Sequence, residues 1–430
     1  MASETPLSPS TPRNIVIVGG GIIGCTTAYF LTRHPAYSPS IHKITIVEAT
    51  AIASGASGKA GGLLALWAYP SCIVPLSYKL HAELAKEHNG AERWGYRAVH
   101  AGSITAKGKL PATPAVPTNG GSPGDEKEEE WKKLPKQAPL PDVKVKTKLV
   151  SASIPNDLDW FDTDCIRSYS LMGDTSTTAQ VHPYQFTTSI ASLAEEAGAK
   201  IIHGFVTAVD YTGPHGVKSV TYEDKGTKHI HAIPATDVIL SAGPWTSHIW
   251  PEAPIDALRA HSVTFKADVT PYAIFTDIEL PKDFGKFISS TKGRKKRHGK
   301  SVNPEMYARP NGEVYACGEG DSLIPLPKSS DLVQCDESRC DDIIDYISTI
   351  SPVLRNSEVL TKQACYLPLA RTGDGPLIGQ TGIRGLLIAT GHTCWGIQNS
   401  CATGKLMSEF VFDGKALSAD IDELDPRKFL

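Results

Sequence analysis

The sequence lacks the patterns that mark several large classes of protein. Its nine cysteines are odd in number and include no C-x-x-C pair, which argues against a disulfide framework and predicts reduced thiols in the cytoplasm. No apolar run approaches the roughly 18 residues that span a bilayer, so no membrane span is expected. A formal net charge of −3 gives no reason to expect nucleic acid as a partner. No H-E-x-x-H motif or Ser–His–Asp arrangement stands out, and no metal site is predicted.

The rest of the composition is that of an ordinary globular protein. The chain has 430 residues, 41% hydrophobic and 21% charged, which is enough for two domains or one bilobed unit. Residues 1–12 lack the charged and apolar regions of a secretory signal, and a disordered tail is predicted there. Residues 107–150 are rich in Pro, Gly, Lys and Glu without periodicity, which predicts an exposed and partly disordered insertion.

The most informative stretch is residues 14–48. It begins with the apolar run 15–18, typical of a strand buried on both faces. A helical segment, 22–31, follows, and a second β-branched strand, 44–47, ends in Glu48. Between the first strand and the helix lie three glycines at the G-x-G-x-x-G positions, namely Gly19, Gly21 and Gly24. This spacing predicts a βαβ unit that binds a dinucleotide.

Each part of this unit has a physical role. Gly19 permits the tight turn, Gly21 lets the backbone approach a pyrophosphate, and Gly24 lets the helix pack on the strand. The phosphates would lie at the helix N-terminus. Glu48 would accept a hydrogen bond from a ribose hydroxyl, and its charge argues against a 2′-phosphate. The alternative is a glycine-rich turn without a ligand.

Residues 54–62 are nearly all small, which allows the backbone to run close to a flat ligand. Ser57 and Lys59 would add a hydroxyl and a cation near phosphates or a ring. A flexible linker is the alternative, but the apolar continuation 63–67 argues against it.

The sequence of the second half of the chain indicates a second sheet and an exposed basic loop. Strand-like runs at 261–268, 306–309 and 314–317, with a hairpin turn at 310–312, predict a second, mostly antiparallel sheet. The basic loop 292–300 is interpreted as a solvated loop tip rather than a nuclear import patch.

Cys335 and Cys340 lie in an acidic, helix-like segment. A metal site is conceivable there, but the spacing matches no strong zinc pattern. Buried thiols beside surface acids are the preferred interpretation.

Near the C-terminus the pattern of the first unit returns. Residues 363–379 are predicted as a loop leading into a short strand, and 385–390 as a buried strand. The glycine turn 391–396 and the helix 397–412 follow. The N-terminus of this second helix is expected to face the same ligand from the other side.

In these motifs the chain resembles the D-amino acid oxidase superfamily of FAD-dependent oxidoreductases, which includes glycine, sarcosine and fructosyl-amino-acid oxidases. The resemblance covers nearly all of the chain outside 107–150 and 270–300. Its carriers are the glycine motif with Glu48, residues 54–62, Val181-His182-Pro183, residues 238–245 and 374–379, and the turn 391–396 with Ala402-Thr403-Gly404, which resembles a fungal-type branch.

The resemblance implies an α/β fold, with a Rossmann-like FAD-binding domain and a second domain built on a mostly antiparallel sheet. The FAD-binding domain would be discontinuous and comprise residues 13–75, 176–250 and 363–420. The substrate or cap domain would comprise residues 76–175 and 251–362.

The resemblance also implies FAD as the cofactor and a set of residues around it. The glycine motif would contact the pyrophosphate, and Glu48 would bind the adenosine ribose. The backbone of Val206 would contact the adenine. The turn 391–397 would direct main-chain donors at the N1–C2=O edge of the flavin. The complete set is Gly19, Gly21, Ile22, Ile23, Gly24, Glu48, Ala49, Ser57, Lys59, Ala60, Gly61, Gly62, Val206, Ala242, Gly243, Trp245, Cys365, Gly391, His392, Cys394, Trp395, Gly396 and Ile397.

Two positions limit what can be carried over from the family. Many amino-acid oxidases of the superfamily have an arginine before the proline at Pro368, where it holds the substrate carboxylate, and this chain has Leu367. Arg371 or Arg309 would have to replace it. Cys365 resembles the cysteine that sarcosine oxidase attaches to the flavin, with a buried structural cysteine as the alternative. The lysine that relatives use to activate oxygen has no clear counterpart.

The predicted activity is oxidation of a C–N bond of an amine or amino-acid derivative, with hydride passing to flavin N5 and the imine hydrolysing in water. Candidates to face this small-molecule substrate are Tyr307, Arg309, His392 and Trp395, together with Trp67. O2 or another acceptor would take the electrons. The alternatives are a flavin dehydrogenase or oxidase acting on another substrate class, such as a hydroxy acid, and a flavin-bound adaptor that binds a protein partner through 107–150.

Overall fold

The computed structural model describes residues 11–110, 154–212, 216–293, 298–371 and 375–430. The predicted tail 1–12 and insertion 107–150 therefore lie almost entirely outside the described residues, as do residues 294–297 of the basic loop and Asp374.

The described strands are β1 (Arg13–Val18), β2 (His42–Glu48), β3 (Leu63–Ala65), β4 (Arg97–Ala98), β5 (His100–Lys107), β6 (Ile166–Gly173), β7 (Thr178–Gln180), β8 (Lys200–Tyr211), β9 (Val217–Asp224), β10 (Ile230–Pro234), β11 (Asp237–Leu240), β12 (Ile255–Lys266), β13 (Tyr272–Glu279), β14 (Ser301–Val302), β15 (Glu305–Arg309), β16 (Glu313–Asp321), β17 (Glu358–Ala370), β18 (Leu377–Gln380) and β19 (Leu386–Thr390). The α-helices are α1 (Ile22–Leu31), α2 (Ala56–Lys59), α3 (Val74–Glu87), α4 (Gly90–Trp94), α5 (Pro183–Glu196), α6 (Thr246–Ile249), α7 (Phe284–Lys292), α8 (Glu337–Ser348), α9 (Pro352–Arg355) and α10 (Gly396–Asp413).

The first sheet has eight strands in the order β10-β9-β8-β2-β1-β11-β19-β18. Its five central strands, from β8 to β19, are mutually parallel, and the outer strands are antiparallel. β1 is buried on both faces, since Ile15 and Ile17 belong to one hydrophobic cluster and Val16 and Val18 to another. The continuous apolar run in the sequence is thus the signature of a central parallel strand, as predicted.

One face of this sheet is covered by α1, α3, α5 and α10. The first and last long helices of the unit, α1 and α10, approach closely, because a Cβ on Gly404 would lie 2.6 Å from the backbone carbon of Thr26. The hydroxyl of Thr26 also donates to the carbonyl of Ser400 at 3.0 Å. Segments 374 residues apart in sequence thereby form one layer, which brings the two glycine turns to the same edge of the sheet.

The second sheet follows the order β17-β12-β16-β15-β13-β5-β6, and β14 pairs with β13. All its pairs are antiparallel except β13 with β5. The predicted hairpin joins β15 to β16, with Asn311 and Gly312 both at positive φ. A third, small sheet has the order β3-β7-β4. The predicted α/β fold with a second, mostly antiparallel sheet is confirmed.

One predicted element is wrong. Residues 363–370, expected to be a loop, form the second half of β17, which pairs with β12 along its whole length from Glu358 to Ala370. The chain therefore stays in the second sheet up to Ala370. The strand contains Pro368, which it tolerates because β17 lies at the edge of the sheet, and the carbonyl of Pro368 accepts a hydrogen bond from the Thr393 N–H.

None of the helices in the described ranges is long and apolar enough to cross a lipid bilayer.

Candidate functional site

A large cavity lies where the carboxyl ends of the central parallel strands meet the second sheet. Its volume is about 1690 Å³ with its opening to solvent included. Val18, Glu48, Ser241 and Thr390, at or just beyond the ends of β1, β2, β11 and β19, all line it. Open α/β sheets bind ligands at this edge, where neighbouring strands connect in opposite directions.

The cavity brings together most of the predicted site residues. Those that line it are Gly19, Gly21, Ile22, Ile23, Glu48, Ala49, Ser57, Lys59, Ala60, Gly61, Gly62, Val206, Ala242, Gly243, Trp245, Tyr307, Cys365, His392, Cys394, Trp395, Gly396 and Ile397. Gly24, Gly391, Arg309 and Trp67 do not belong to the lining.

The first glycine turn leaves no room for side chains at two positions. Gly19 has φ +109°, and a Cβ there would lie 2.7 Å from the carbonyl oxygen of Ser241 on the neighbouring strand. A Cβ on Gly24 would lie 2.1 Å from the carbonyl oxygen of Gly19, so Gly24 permits the helix to pack against the turn. At Gly21 a Cβ would meet only the Ser57 hydroxyl, at 3.1 Å. Its backbone therefore faces the cavity, as binding of a pyrophosphate requires.

Glu48 supports this turn from the adjacent strand. One carboxylate oxygen accepts the Gly20 N–H at 2.7 Å, and the other accepts the Thr50 N–H at 2.8 Å. Burial raises the pKa of the carboxyl group, and the two N–H donors act in the opposite direction. Glu48 is thus positioned by the backbone at the end of β2 while it lines the cavity.

Two helix N-termini point into the cavity. Gly21 is the N-cap of α1, and Gly396 is the first residue of α10, which has no side-chain cap and no acidic residue in its first turn. A helix N-terminus carries a partial positive charge and unpaired N–H groups. The cavity therefore offers one such end near the glycine motif and a second one opposite, an arrangement expected from the sequence.

The small-residue stretch 54–62 also lines the cavity, except for Gly58. The Ser57 hydroxyl accepts the Ile22 N–H at 2.9 Å, and the Lys59 ammonium donates to the carbonyl of Ala364 at 2.9 Å. A Cβ on Gly61 would lie 2.2 Å from the ring of Tyr307. The stretch is therefore pressed between α1 and the second sheet, and the alternative of a flexible linker does not describe it.

The residues present fit FAD. The glycine cradle, the acid at the end of β2 and the first helix N-terminus suit an adenosine diphosphate. The second helix N-terminus, of α10, suits the electron-rich edge of a flavin ring.

Aromatic rings close the cavity beneath the second sheet. Phe275, Tyr307, Tyr315 and Trp395 all line it, and each is at most 8% exposed. The rings of Tyr307 and Tyr315 stack at 5.8 Å, and Trp67 packs edge-on against Trp395 from behind at 5.6 Å. This aromatic pocket, defined by the four lining rings, excludes water from one end of the cavity.

Arg309 takes no part in lining this pocket. Its guanidinium pairs with Glu313 at 2.5 Å, donates to the carbonyl of Ala60 and lies over the ring of Tyr315. Arg371 is more than half exposed and lies near Asp256. Neither arginine lines the cavity.

His392 is held as a neutral acceptor. Burial lowers the pKa of its imidazole to about 3. The Thr403 hydroxyl donates its hydrogen to the carbonyl of Asn399 at 2.9 Å, so it can only accept from His392 Nε2 at 3.0 Å. The proton of the neutral ring is therefore on Nε2, which leaves Nδ1 with its lone pair.

Because His81, His261 and His392 are buried in the folded protein, we expect its stability to decrease in acid. Burial lowers the pKa values of His81 and His261 to about 4, as it does that of His392 to about 3. Between about pH 6.5 and about pH 4 the unfolded chain binds these protons and the folded protein does not. The free energy of unfolding therefore decreases as the pH is lowered through this range. Each histidine contributes a slope of at most about 1.4 kcal/mol per pH unit.

Denaturant unfolding at a series of pH values between 7.5 and 4.5 measures this slope. His81→Gln, which keeps a polar side chain in place, should give a shallower dependence than the wild type. Equal slopes for the two proteins would contradict the assignment.

The sequence-based prediction missed several lining residues, notably Phe275, Tyr315, Ser262 and Ser330. Tyr315 could have been found by counting from the hairpin turn, because the register Arg309↔Glu313 places it opposite Tyr307. Ser330 lies far from the glycine motifs in sequence, and its hydroxyl meets that of Ser54 at 2.7 Å. No local signal in the sequence indicated that contact.

A family model described as FAD dependent oxidoreductase (DAO) matches residues 14–410 of the chain. TDA3 of Saccharomyces cerevisiae, provisionally named an oxidoreductase, is 38% identical, with 97% of this chain and 95% of that protein covered. A protein of Schizosaccharomyces pombe with the same kind of name is 33% identical, covering 97% of this chain and 98% of its own length.

The fold is also similar to solved structures. Glycine oxidase from Bacillus cereus superposes with a TM-score of 0.63 at 18% identity, covering 94% of this chain and 96% of that one. L-proline dehydrogenase from P. horikoshii gives 0.64 at 17% identity, covering 97% and 98%.

Proposed function

The chain belongs to the DAO family of FAD-dependent oxidoreductases, and on that premise we propose that it oxidises a C–N bond of an amine whose carboxylate is absent or masked. The Rossmann-like unit and the glycine cradle described above are the parts of the chain that would hold FAD. When bound, FAD supplies a two-electron acceptor for the hydride of the C–H bond beside the nitrogen.

The polar groups at the aromatic pocket support an amine substrate. Tyr307 donates its phenol hydrogen to Glu305, so its oxygen can act toward a ligand only as an acceptor. His392 donates through Nε2 to Thr403, which leaves Nδ1 as an acceptor. Two acceptors suit the N–H of an amine and do not suit a carboxylate. These two acceptor groups, both on residues that line the cavity, are the observation that carries the proposal.

The charges of the cavity point the same way. Among its described lining residues the side chains with a fixed charge are Glu48 and Lys59, and the Lys59 ammonium donates to the Ala364 carbonyl. A buried carboxylate needs a cation or several N–H donors to offset its desolvation. Leu367 supplies neither at the position where relatives have arginine. The same deficit disfavours a hydroxy acid, the alternative substrate class.

The chain's contribution to the reaction would be orientation and exclusion of water. The rings of the aromatic pocket hold the substrate's carbon atoms, and the two acceptors hold its nitrogen, which is effective when reacting atoms lie about 3–3.5 Å apart. Hydrolysis of the imine would follow in water.

A matched pair of substrates tests the proposal. We expect an N-methyl amino acid methyl ester to bleach the flavin of the FAD-loaded protein under anaerobic conditions, and the corresponding free acid to do so more slowly. The two compounds differ in the carboxylate charge. A faster reaction with the free acid would contradict the proposal. Bleaching only by hydroxy acids would favour that alternative, and no bleaching at all the flavin-bound adaptor. Oxygen consumption in the same assay, run in air, identifies O2 or another compound as the acceptor.

Covalent attachment of the flavin is proposed at Cys365. This residue lines the cavity and is 8% exposed, and Cys394, a second thiol, lines it as well. We expect yellow colour to remain with acid-precipitated protein and to be released in Cys365→Ser, while Cys394→Ser keeps it. Release of all flavin from the wild-type protein would rule the attachment out.

A further inference from the structure

Two thiols outside the cavity face each other. The sulfur atoms of Cys335 and Cys340 are 3.7 Å apart, with Cys335 just before the N-cap of α8 and Cys340 in its first turns. Cys340 is fully buried and Cys335 is half-buried. A ligand or oxidant can therefore reach the pair only from the Cys335 side.

The surroundings do not make this a metal site. Among the residues that the structure describes, no group of three or more His, Cys, Asp or Glu side chains could hold a metal ion. Three acids of the segment have other partners. Asp336 accepts hydrogen bonds from the N–H and the hydroxyl of Ser338, and Glu337 and Asp341 pair with Lys362. The pair is left with the chemistry of two thiols.

The two thiols are chemically unequal. The contact between the two sulfurs, in which either could be the donor, lowers the pKa of Cys335 and raises the pKa of Cys340, and burial raises the pKa of Cys340 further. The thiolate, not the thiol, is the nucleophile, so Cys335 is the member that reacts first. It is also the accessible one.

We propose that Cys335 and Cys340 form a reversible disulfide when the protein meets a hydroperoxide. The Cys335 thiolate attacks the peroxide oxygen, and the O–O bond breaks to give a sulfenic acid on Cys335 and, for hydrogen peroxide, water. The Cys340 sulfur then attacks the Cys335 sulfur and displaces the hydroxyl as water. Overall, the two thiols are oxidised to one disulfide by loss of two hydrogens and two electrons. One hydrogen peroxide is reduced to two waters. A dithiol reductant reverses the step by exchange.

The pair adjoins the wall of the cavity. The N–H of Asp336, next to Cys335, donates to His261 Nε2 at 3.1 Å, and His261 lines the cavity. The Cys340 sulfur lies 3.6 Å from the carbonyl oxygen of Ser262, another lining residue. A disulfide requires the sulfurs to approach to about 2.05 Å. The movement of the two sulfurs on disulfide formation would therefore occur beside His261 and Ser262 in the cavity wall.

The experiment uses the purified FAD-loaded protein with hydrogen peroxide as the probe. After acid quenching, free thiols are alkylated and the protein is digested with trypsin. Arg339 lies between the two cysteines, so cleavage after it separates them, and a disulfide appears as two linked peptides. We expect this linked species to form with peroxide, to disappear after a dithiol reductant and to be absent from Cys335→Ser.

Two variants keep the result decisive. In Cys340→Ser the sulfenic acid on Cys335 has no partner, so dimedone should label Cys335. Cys72 is the matched control, because it too is half-buried, but burial raises the pKa of its thiol to about 12. Absence of the linked peptides in the wild type, or labelling of Cys72 as fast as Cys335, would overturn the proposal.

Discussion

Gly19→Ala is expected to yield protein that retains no FAD and unfolds at a lower denaturant concentration. The new Cβ would lie 2.7 Å from the Ser241 carbonyl oxygen and 2.9 Å from the Ala242 Cα, and both are backbone atoms that cannot rotate away. The residue would also have to adopt φ +109°, which is strained for alanine. The combined cost in stability is about 3–5 kcal/mol.

An exposed glycine outside the cavity provides the control. A Cβ on Gly226 would meet only the side chain of Asp224, at 3.5 Å, and Gly226 does not have a positive φ. Gly226→Ala should therefore bind FAD and unfold like the wild type. Flavin absorbance per protein and a denaturation curve measure both effects. Wild-type flavin content in Gly19→Ala would show that the turn is not part of the binding site.

Glu48→Ala is expected to weaken FAD binding by about 1.5–3 kcal/mol, the range for a hydrogen bond to a charged group. This corresponds to roughly a 10- to 150-fold higher Kd. The loss has two origins, because the carboxylate would accept a ribose hydroxyl and also holds the N–H groups of Gly20 and Thr50.

Two comparisons separate these origins. Glu48→Gln keeps the size of the side chain and one acceptor oxygen, so it should show an intermediate Kd. Glu83→Ala removes an acid on the exposed face of α3, where it pairs with Lys79, and should leave the Kd unchanged. Fluorescence titration of the apoprotein gives each value. An unchanged Kd in Glu48→Ala would remove the residue from the ribose site.

The parts of the site that were predictable depend on short-range patterns. A strand, three glycines, a helix and a terminal acid occur within residues 14–48, and each signal reflects the backbone conformation of its own few residues. The second turn, 391–396, was predictable for the same reason, and both turns line one cavity as expected. The residues named from these motifs therefore line the cavity, apart from Gly24 and Gly391, which pack against the backbone and side chains behind it.

Long-range packing decided the rest. Arg309 was a candidate to face the substrate because of its hydrogen-bonding tip, but its guanidinium pairs with Glu313 and donates to the Ala60 carbonyl, and it does not line the cavity. Residues 363–370 contain a proline and were expected to be a loop, yet β12 offers them a full strand partner. Four residues separate Cys335 from Cys340 in the sequence, which does not show whether their sulfurs meet. The start of α8 brings the two sulfurs together.

The sequence by itself determined the family, the cofactor and the two turns that face it, because glycine spacing and hydrophobic periodicity act over a few residues. Only the tertiary structure decided which polar atoms at the aromatic pocket remain acceptors, and which cations are engaged elsewhere. Those properties depend on partners such as Thr403 and Glu305, whose positions are set by the packing of whole elements against one another.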